Sequence, residues 1–318
     1  MQALQVTLFS DGRPGHEKQS LGIIKALQAY VNVDVDKVEV PDSTLFDDLV
    51  SHLSLFFKVG KTSHSDTFQK TDLFIGSGRR THVPMLSARA TESAKIVTCM
   101  TPASYLRAKF DLCCVPYHDL VKPADNIFFT VGPPNISKKS SVHDPKRSLI
   151  LVGGQDESSH SWNEMKLISD MEVLISTTEQ ISWLISSSPR TPESTETLIS
   201  QKLDRLPRVS FVPFSETDPG WVEHKYGTHE SVWITADSVS MVYEALSAGC
   251  KVGILPVVWR RKNNKFRRSL DYLLDEKLIV TLPQYLEGAS EWHNHEPLNE
   301  ADRCAREILR RWWPKNIQ

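Results

Sequence analysis

The sequence contains no C-x-x-C pair, and its cysteines, Cys99, Cys113, Cys114, Cys250 and Cys304, are odd in number. That pattern fits neither a disulfide framework nor a structural zinc site; it fits reduced thiols in a cytosolic compartment. No apolar run approaches the ~18 residues needed to span a bilayer, so a membrane substrate would be met from the surface. No basic stretch precedes the first apolar residues. Met1 to Ser10 runs straight into Asp11-Gly12 and reads as a first strand, not a signal peptide. Nor is there a surplus of either charge. Lys plus Arg number 37 against 39 for Asp plus Glu, a net of −2, which gives no general pull toward nucleic acid. An anionic partner would need a local basic patch.

What is present is globular, with 40% hydrophobic and 24% charged residues. A chain of 318 residues suits two domains better than one core. Strand and helix patterns alternate. Strand candidates are Val6–Ser10, Val33–Val40, Asp72–Gly76, Ile96–Met100, Leu112–Val115 and Ile127–Val131. A helix with Ile23, Leu27, Tyr30 and Val31 on one face follows the first of them. Gly132 to Lys146 then holds three prolines and little apolar content, a linker composition. The pattern restarts with strands at Ser148–Val152, Ile181–Ile185, Val209–Val212, Val232–Thr235 and Val252–Leu255. Alternation of this kind predicts βαβ units and mostly parallel sheets in an α/β fold. The expected division is an N-terminal domain over 1–135, a linker over 136–147, a C-terminal domain over 148–298, and a final helix within 299–318 that packs back on the N-terminal lobe.

Five stretches could carry chemistry. Asp11-Gly12-Arg13-Pro14-Gly15-His16 follows the first strand and opens a helix, so backbone N–H groups and a helix dipole converge there. Its spacing is not G-x-G-x-x-G, and a capped turn with a surface histidine has the same pattern. Gly153-Gly154-Gln155 follows a strand, and two glycines let a backbone approach a diphosphate closely. An ordinary βα turn would also read this way. Thr235-Ala236-Asp237-Ser238 leads into a helix from Val239 that Ser238 can cap. Side chains on that helix tilt toward its N-terminus, so Glu244 could reach a ribose, while a solvated face of Ser240, Glu244 and Ser247 is the plainer alternative. Ser188 and Arg190 sit in a polar loop after a strand and suit phosphate or base contacts. Finally, Arg260, Arg261, Lys262, Lys265, Arg267 and Arg268 place six cations in nine positions, suited to phosphates, an anionic lipid surface, or simply solvent.

Two further patterns imitate metal sites. Asp34-Val35-Asp36 has D-x-D form but lies in a predicted strand without a glycine turn. His293 and His295 stand beside Glu296 with no further His or Cys nearby, which reads as a surface loop.

With these residues in view, the chain resembles the "elongated mitochondria" family, a group assigned to glycosyltransferases and named for a plant mitochondrial fission factor. Its bacterial members include lipooligosaccharide outer-core transferases. The resemblance rests on Asp11 to Gln19, Gly78-Arg79-Arg80-Thr81, Phe110-Asp111 with Val115-Pro116-Tyr117-His118-Asp119, Val152-Gly153-Gly154, Ser188-Pro189-Arg190-Thr191-Pro192, and Thr235 to Leu246. It implies a glycosyltransferase B architecture: two Rossmann-like lobes with parallel sheets facing across a cleft, the donor mainly on the C-terminal lobe, and no essential metal. By that likeness Gly153-Gly154 and the helix at Ser238 would hold the diphosphate, Glu244 the ribose, and Asp11 or His16 would face the acceptor. Gly12, Gly15, Gln155, Ser188, Arg190, Thr235, Asp237, Ser240 and Lys265 complete the candidate site. The first loop departs from related transferases in carrying Arg13-Pro14 where they have more glycines.

The expected activity is sugar transfer from a nucleotide sugar to a saccharide or glycolipid acceptor, with His16 or Asp11 as the base and no separate cofactor. The expected setting is cytoplasmic, with peripheral contact at an anionic membrane face. A non-catalytic adaptor that recruits a protein and a sugar-nucleotide epimerase are the alternatives, since fold does not fix function.

Overall fold

The computed structural model describes residues 3–41, 71–89, 93–178, 180–261, 264–288, 292 and 296–317. The chain divides into two compact units, Met1–Ile136 with Asn299–Gln318, and Ser137–Leu298.

Unit 1 contains strands β1 (Leu4–Ser10), β2 (Val33–Glu39), β3 (Leu73–Gly76), β4 (Lys95–Thr98), β5 (Leu112–Pro116) and β6 (Ile127–Thr130), with helices α1 (Pro14–Leu27), α2 (Arg79–Ala88) and α3 (Ser104–Arg107). The sheet order is β2-β1-β3-β4-β5-β6, and every pairing is parallel. β3 and β5 are buried at every residue, which is why they read as unbroken apolar runs: a parallel sheet is covered on both faces. Among the described residues β2 is one of the two edge strands and exposes its charges, which discourages further pairing. Asp34 and Asp36 belong to this edge, and Asp34 accepts a hydrogen bond from Gln5 Nε2 at 2.8 Å. One sheet face packs Leu8, Leu73 and Ile75 against Ile23 and Leu27 of α1. The other packs Phe9, Phe74 and Ile96 against Met85 of α2.

Unit 2 contains β7 (Asp144–Leu151), β8 (His160–Ser161), β9 (Ser182–Ser186), β10 (Val209–Val212), β11 (His229–Thr235), β12 (Lys251–Leu255), β13 (Val258–Trp259) and β14 (Ile279–Thr281), with helices α4 (Glu164–Ser176), α5 (Glu193–Lys202), α6 (Trp221–Tyr226), α7 (Val239–Ala248), α8 (Lys265–Asp275) and α9 (Leu282–Leu286). Its main sheet runs β10-β9-β7-β11-β12-β14, again all parallel, while β8 and β13 form a separate antiparallel pair. Gly253 on β12 lies under Trp233; a Cβ there would stand 2.4 Å from the indole.

The final helix α10 (Glu300–Trp312) belongs to unit 1. Its Ala301, Cys304, Ala305, Ile308 and Leu309 recur at helical spacing and bury against the α1 face of the sheet. Burial of Ile308 and Leu309 contributes roughly 1.5–3 kcal/mol each. Tyr30 Oη donates to Asp302 Oδ1 at 2.6 Å, and Trp312 and Trp313 pack partly buried on the same core.

The stretch with linker composition is built into unit 2 over most of its length. Ser140 N–H donates to the Ala248 carbonyl at 3.1 Å, Ser140 Oγ donates to that of Gly227 at 2.7 Å, and His143 Nε2 meets that of Tyr226 at 3.0 Å. The strand expected from Ser148 begins at Asp144. Serine and proline mark this segment as irregular, but its polar side chains cap unit 2 and do not leave it loose.

Counting the six main strands of each unit in chain order, unit 2 reads 3-2-1-4-5-6 and unit 1 reads 2-1-3-4-5-6. The order reverses between β1 and β3 in unit 1 and between β7 and β11 in unit 2. Open α/β sheets bind ligands at the carboxyl ends of the strands flanking such a reversal.

Candidate functional site

In unit 1 the reversal falls on the first candidate loop. Asp11 leaves β1 with its side chain 1% exposed, and its Oδ2 lies 2.9 Å from Nδ1 of His16, whose side chain is 20% exposed. Oδ1 accepts the Arg13 N–H at 3.3 Å. A buried carboxylate on Nδ1 holds the imidazole with Nδ1–H toward the aspartate and the lone pair on Nε2. Gly12 adopts a φ of +75°, so the turn itself demands glycine. A Cβ on Gly15 would meet nothing within 4 Å, so packing does not require glycine there. Ser10 Oγ donates to Glu17 Oε2 at 2.8 Å and Lys37 pairs with Glu17 at 2.9 Å, fixing the start of α1. The Lys37 hydrogen bond leads the effects that lower the Glu17 pKa.

Gly78, at the exit of β3, completes this cluster. Its φ is +94°, and a Cβ on it would stand 2.3 Å from His16 Nδ1 and 2.7 Å from Asp11 Oδ2. The neighbouring Ser77 Oγ lies 3.0 Å from Ser20 Oγ, tying the β3 exit to α1.

In unit 2 the reversal brings together the second, third and fourth candidate stretches. Gly153 N–H donates to Thr235 Oγ1 at 2.7 Å, and Gly154 N–H to Asp237 Oδ2 at 3.1 Å. Asp237, with its side chain 2% exposed, also takes Arg190 Nη2 at 2.9 Å, and Ser238 Oγ donates to it at 3.2 Å. Arg190 keeps its side chain 49% exposed beyond that contact. Thr191 Oγ1 donates to the Val152 carbonyl at 3.0 Å and accepts the Ser188 N–H at 2.8 Å, while Gln155 N–H reaches the Arg190 carbonyl at 3.3 Å.

Several expectations change here. The glycine N–H groups expected to hold a diphosphate are already engaged by Thr235 and Asp237. The two glycines instead make room for neighbouring protein: a Cβ on Gly153 would stand 2.3 Å from the Asp237 carboxylate, and one on Gly154 2.1 Å from the Arg190 carbonyl oxygen. α7 does begin at Val239, but Ser238 makes no side-chain cap, because its hydroxyl turns to Asp237. The first-turn N–H groups of Val239 and Ser240 therefore lack intrahelical acceptors, and Ser240 is exposed. Glu244 is not on a solvated face. It is buried on α7 beside Tyr226, whose hydroxyl is pushed well above its usual range by burial first and then by the Glu244 charge. Ser247 is buried too, its hydroxyl donating to the Tyr243 carbonyl at 2.8 Å.

Gln155 is exposed and bonds to Glu157 at 3.3 Å. Lys265 stands at the start of α8 with its ammonium 5.0 Å from the ring centre of Phe266, and among the described residues no hydrogen bond or ion pair ties it to the cluster around Asp237. In the basic stretch, Arg260 Nε reaches the His160 carbonyl at 3.4 Å and Arg267 pairs with Asp271 at 3.6 Å. Lys262, His293 and His295 lie outside the described residues. Glu296 is paired with Lys139 at 3.4 Å. A cavity of about 90 Å³ walled by Trp183, Trp233, Tyr285 and Trp292 lies toward the amino ends of the unit 2 strands, on the edge opposite Asp237.

Two residues take part to which the sequence assigns no role, although Thr191 lies within a candidate stretch. Thr191 joins the exits of β7 and β9 through one hydroxyl. Phe214 follows β10 at the same carboxyl edge, exposed, with its N–H on Ser187 Oγ at 2.8 Å. The Val212-Pro213-Phe214 run at a strand exit is the signal that marks it.

Two successive Rossmann-like units with parallel six-stranded sheets define the glycosyltransferase B fold. Solved structures agree. The glycosyltransferase SnogD from Streptomyces nogalater matches with a TM-score of 0.52 at 13% identity, over 97% of this chain and 96% of its own. The UDP-GlcNAc 2-epimerase from Neisseria meningitidis bound to UDP-GlcNAc matches with 0.52 at 13% identity, over 98% and 99%. S. aureus MnaA with UDP matches with 0.51 at 13% identity, over 98% and 97%. No curated protein matches by sequence. Residues 14–312 match the model of the mitochondrial fission ELM1 family, and the chain belongs to that family. Among the described residues no helix is long and apolar enough to cross a membrane.

Proposed function

We propose that the protein is a glycosyltransferase that moves a sugar from a nucleotide sugar to a saccharide or lipid-linked saccharide, in a metal-independent reaction. The Asp11–His16 pair carries this reading: a buried carboxylate 2.9 Å from Nδ1 orients an imidazole to accept a proton at Nε2. Unit 2 takes the donor. Its diphosphate meets the first-turn N–H groups of α7, the helix dipole and the Arg190 guanidinium, which Asp237 anchors. Phe214 offers a ring for the nucleobase, and Glu244 supports the ribose side from beneath the helix surface.

Unit 1 takes the acceptor. Its hydroxyl loses a proton to His16 Nε2 as the oxygen bonds to the anomeric carbon. The bond from that carbon to the diphosphate breaks, and the electron pair leaves with the diphosphate, where Arg190 and the α7 terminus stabilise it. Asp11, 2.9 Å from Nδ1, steadies the imidazolium. The bacterial relatives named above support a lipooligosaccharide-type acceptor. Five free, buried cysteines fit a reducing compartment, and the cations of α8 fit peripheral contact with anionic lipid.

The test is a thermal-shift panel of UDP-, GDP-, ADP- and CMP-sugars. A donor should stabilise the protein by about 3–4 kcal/mol at 100–1,000 times its Kd. No shift with any of them would sink the reading. Turnover of the binding donor without an acceptor would favour a sugar-nucleotide epimerase, a reaction carried out on the same fold.

A further inference from the structure

The motif Tyr117-His118-Asp119 follows β5 and has no part in the chemistry above. Its surroundings are unusual for a connecting loop. Tyr117 is stacked flat on Phe129, with ring centres 5.2 Å apart and planes within 8°, yet remains 44% exposed. Leu120, next in the chain, is 73% exposed and sits in the left-handed region with φ of 53°. A leucine in that conformation is strained, and such strain gathers at ligand sites. Tyr105, on α3 after β4, is 52% exposed. Polar groups stand among these apolar surfaces. Thr101 Oγ1 donates to Asp119 Oδ2 at 2.5 Å, and His118 Nε2 lies 3.7 Å from Asp119 Oδ1.

We propose that Tyr117, Asp119 and Thr101 form a saccharide subsite, and that the acceptor is an oligosaccharide of at least two sugars. This rests on the reading of unit 1 as the acceptor side. A sugar ring has an apolar C–H face and a rim of hydroxyls, which matches an aromatic platform backed by a rigid ring and edged by a carboxylate and a hydroxyl. A protein partner would call for a broader apolar surface without that carboxylate. The position sets the acceptor's length. Asp11 leaves β1 and Tyr117 leaves β5 at the same carboxyl edge, and the sheet order puts three strand intervals between them. At ~4.8 Å per interval the separation is about 14 Å, more than a single sugar can cover while offering its hydroxyl to His16. The ring on Tyr117 is then the second or third from the reacting one.

The experiment uses the full-length protein, with UDP present, on an array of immobilised mono- to tetrasaccharides, alongside Tyr117→Phe, Tyr117→Ala and Asp119→Asn. Binding should strengthen from monosaccharide to trisaccharide. Tyr117→Ala should weaken the best ligand at least tenfold, Tyr117→Phe should stay within threefold because the ring is kept, and nucleotide-sugar binding should not change in any variant. Equal binding of monosaccharides and longer glycans overturns the proposal. So does Tyr117→Ala with wild-type affinity, or a protein that binds a nucleotide sugar but retains no glycan. Loss of both nucleotide-sugar and glycan binding in the wild type would instead overturn the parent reading.

Discussion

Gly78 makes room for His16: a methyl group on it would stand 2.3 Å from the ring nitrogen that bonds Asp11. The two residues are 62 positions apart in sequence. The β1–β3 pairing brings their loops together at the switch point of unit 1. Gly78→Ala therefore does two things. It strains a backbone held at φ +94°, which costs about 1–3 kcal/mol, and it pushes the imidazole off its carboxylate. The expected outcome is a folded, less stable protein whose transfer rate falls far more than its donor affinity. Unchanged transfer would show that the Asp11–His16 geometry is not used.

His16→Ala should cut turnover by roughly 10²–10⁴ while donor affinity stays within a few-fold, because the base acts on the acceptor hydroxyl. Asp11→Asn should also lower turnover, since an amide no longer fixes the Nδ1–H tautomer. Asp11 itself is too buried to be the base. Steady-state kinetics with paired calorimetry separates the outcomes. Parallel loss of turnover and donor affinity would make His16 a structural residue.

In unit 2 the anchored cation can be tested from both ends. Arg190→Ala should weaken nucleotide-sugar binding at least tenfold, as a charge-assisted contact to the diphosphate is lost. Gly154→Ala should give the same loss with the arginine present, because a Cβ 2.1 Å from the Arg190 carbonyl oxygen must displace that backbone. Wild-type affinity in both variants would remove Arg190 from the donor site. Glu244→Ala should lower affinity and stability together, since Glu244 is buried.

The strands were legible because parallel strands are buried on both faces and appear as short apolar runs. β1, β3 and β5 lie where those runs predict them. β14 has only Ile279 to Thr281, too short to stand out, and β8 and β13 have two residues each. The candidate loops were legible as strand exits with glycine or capping residues. Their wiring was not. Gly153 to Thr235 spans 82 positions and Gly154 to Asp237 spans 83, so nothing local says that these N–H groups are already taken. The burial of Glu244 was hidden for a related reason. Helical periodicity gives it a polar face with Ser240 and Ser247, and only the packing of α6 residue Tyr226 against α7 shows that this face is covered.

Unit 2 should lose stability as the pH falls below about 6.5, through His229. This residue is 5% exposed at the start of β11, with Nδ1 3.0 Å from the Lys225 carbonyl. Burial pushes its pKa below 6.5; the hydrogen bond to that carbonyl opposes the shift, and the Lys225 and Arg147 charges add to it. The folded state therefore resists the proton that the unfolded chain accepts near 6.5. Above that pH both states are neutral and the contribution is fully present. As the pH drops through 6.5 toward the lower folded value, the unfolded state binds the proton first and stability declines; below the folded value the loss levels off. Urea unfolding of wild type between pH 8 and pH 5 should show this fall. His229→Gln keeps a donor for the Lys225 carbonyl but cannot titrate, so its curve should be flatter over the same range. Matching slopes for the two proteins would show that other groups govern the acid limb.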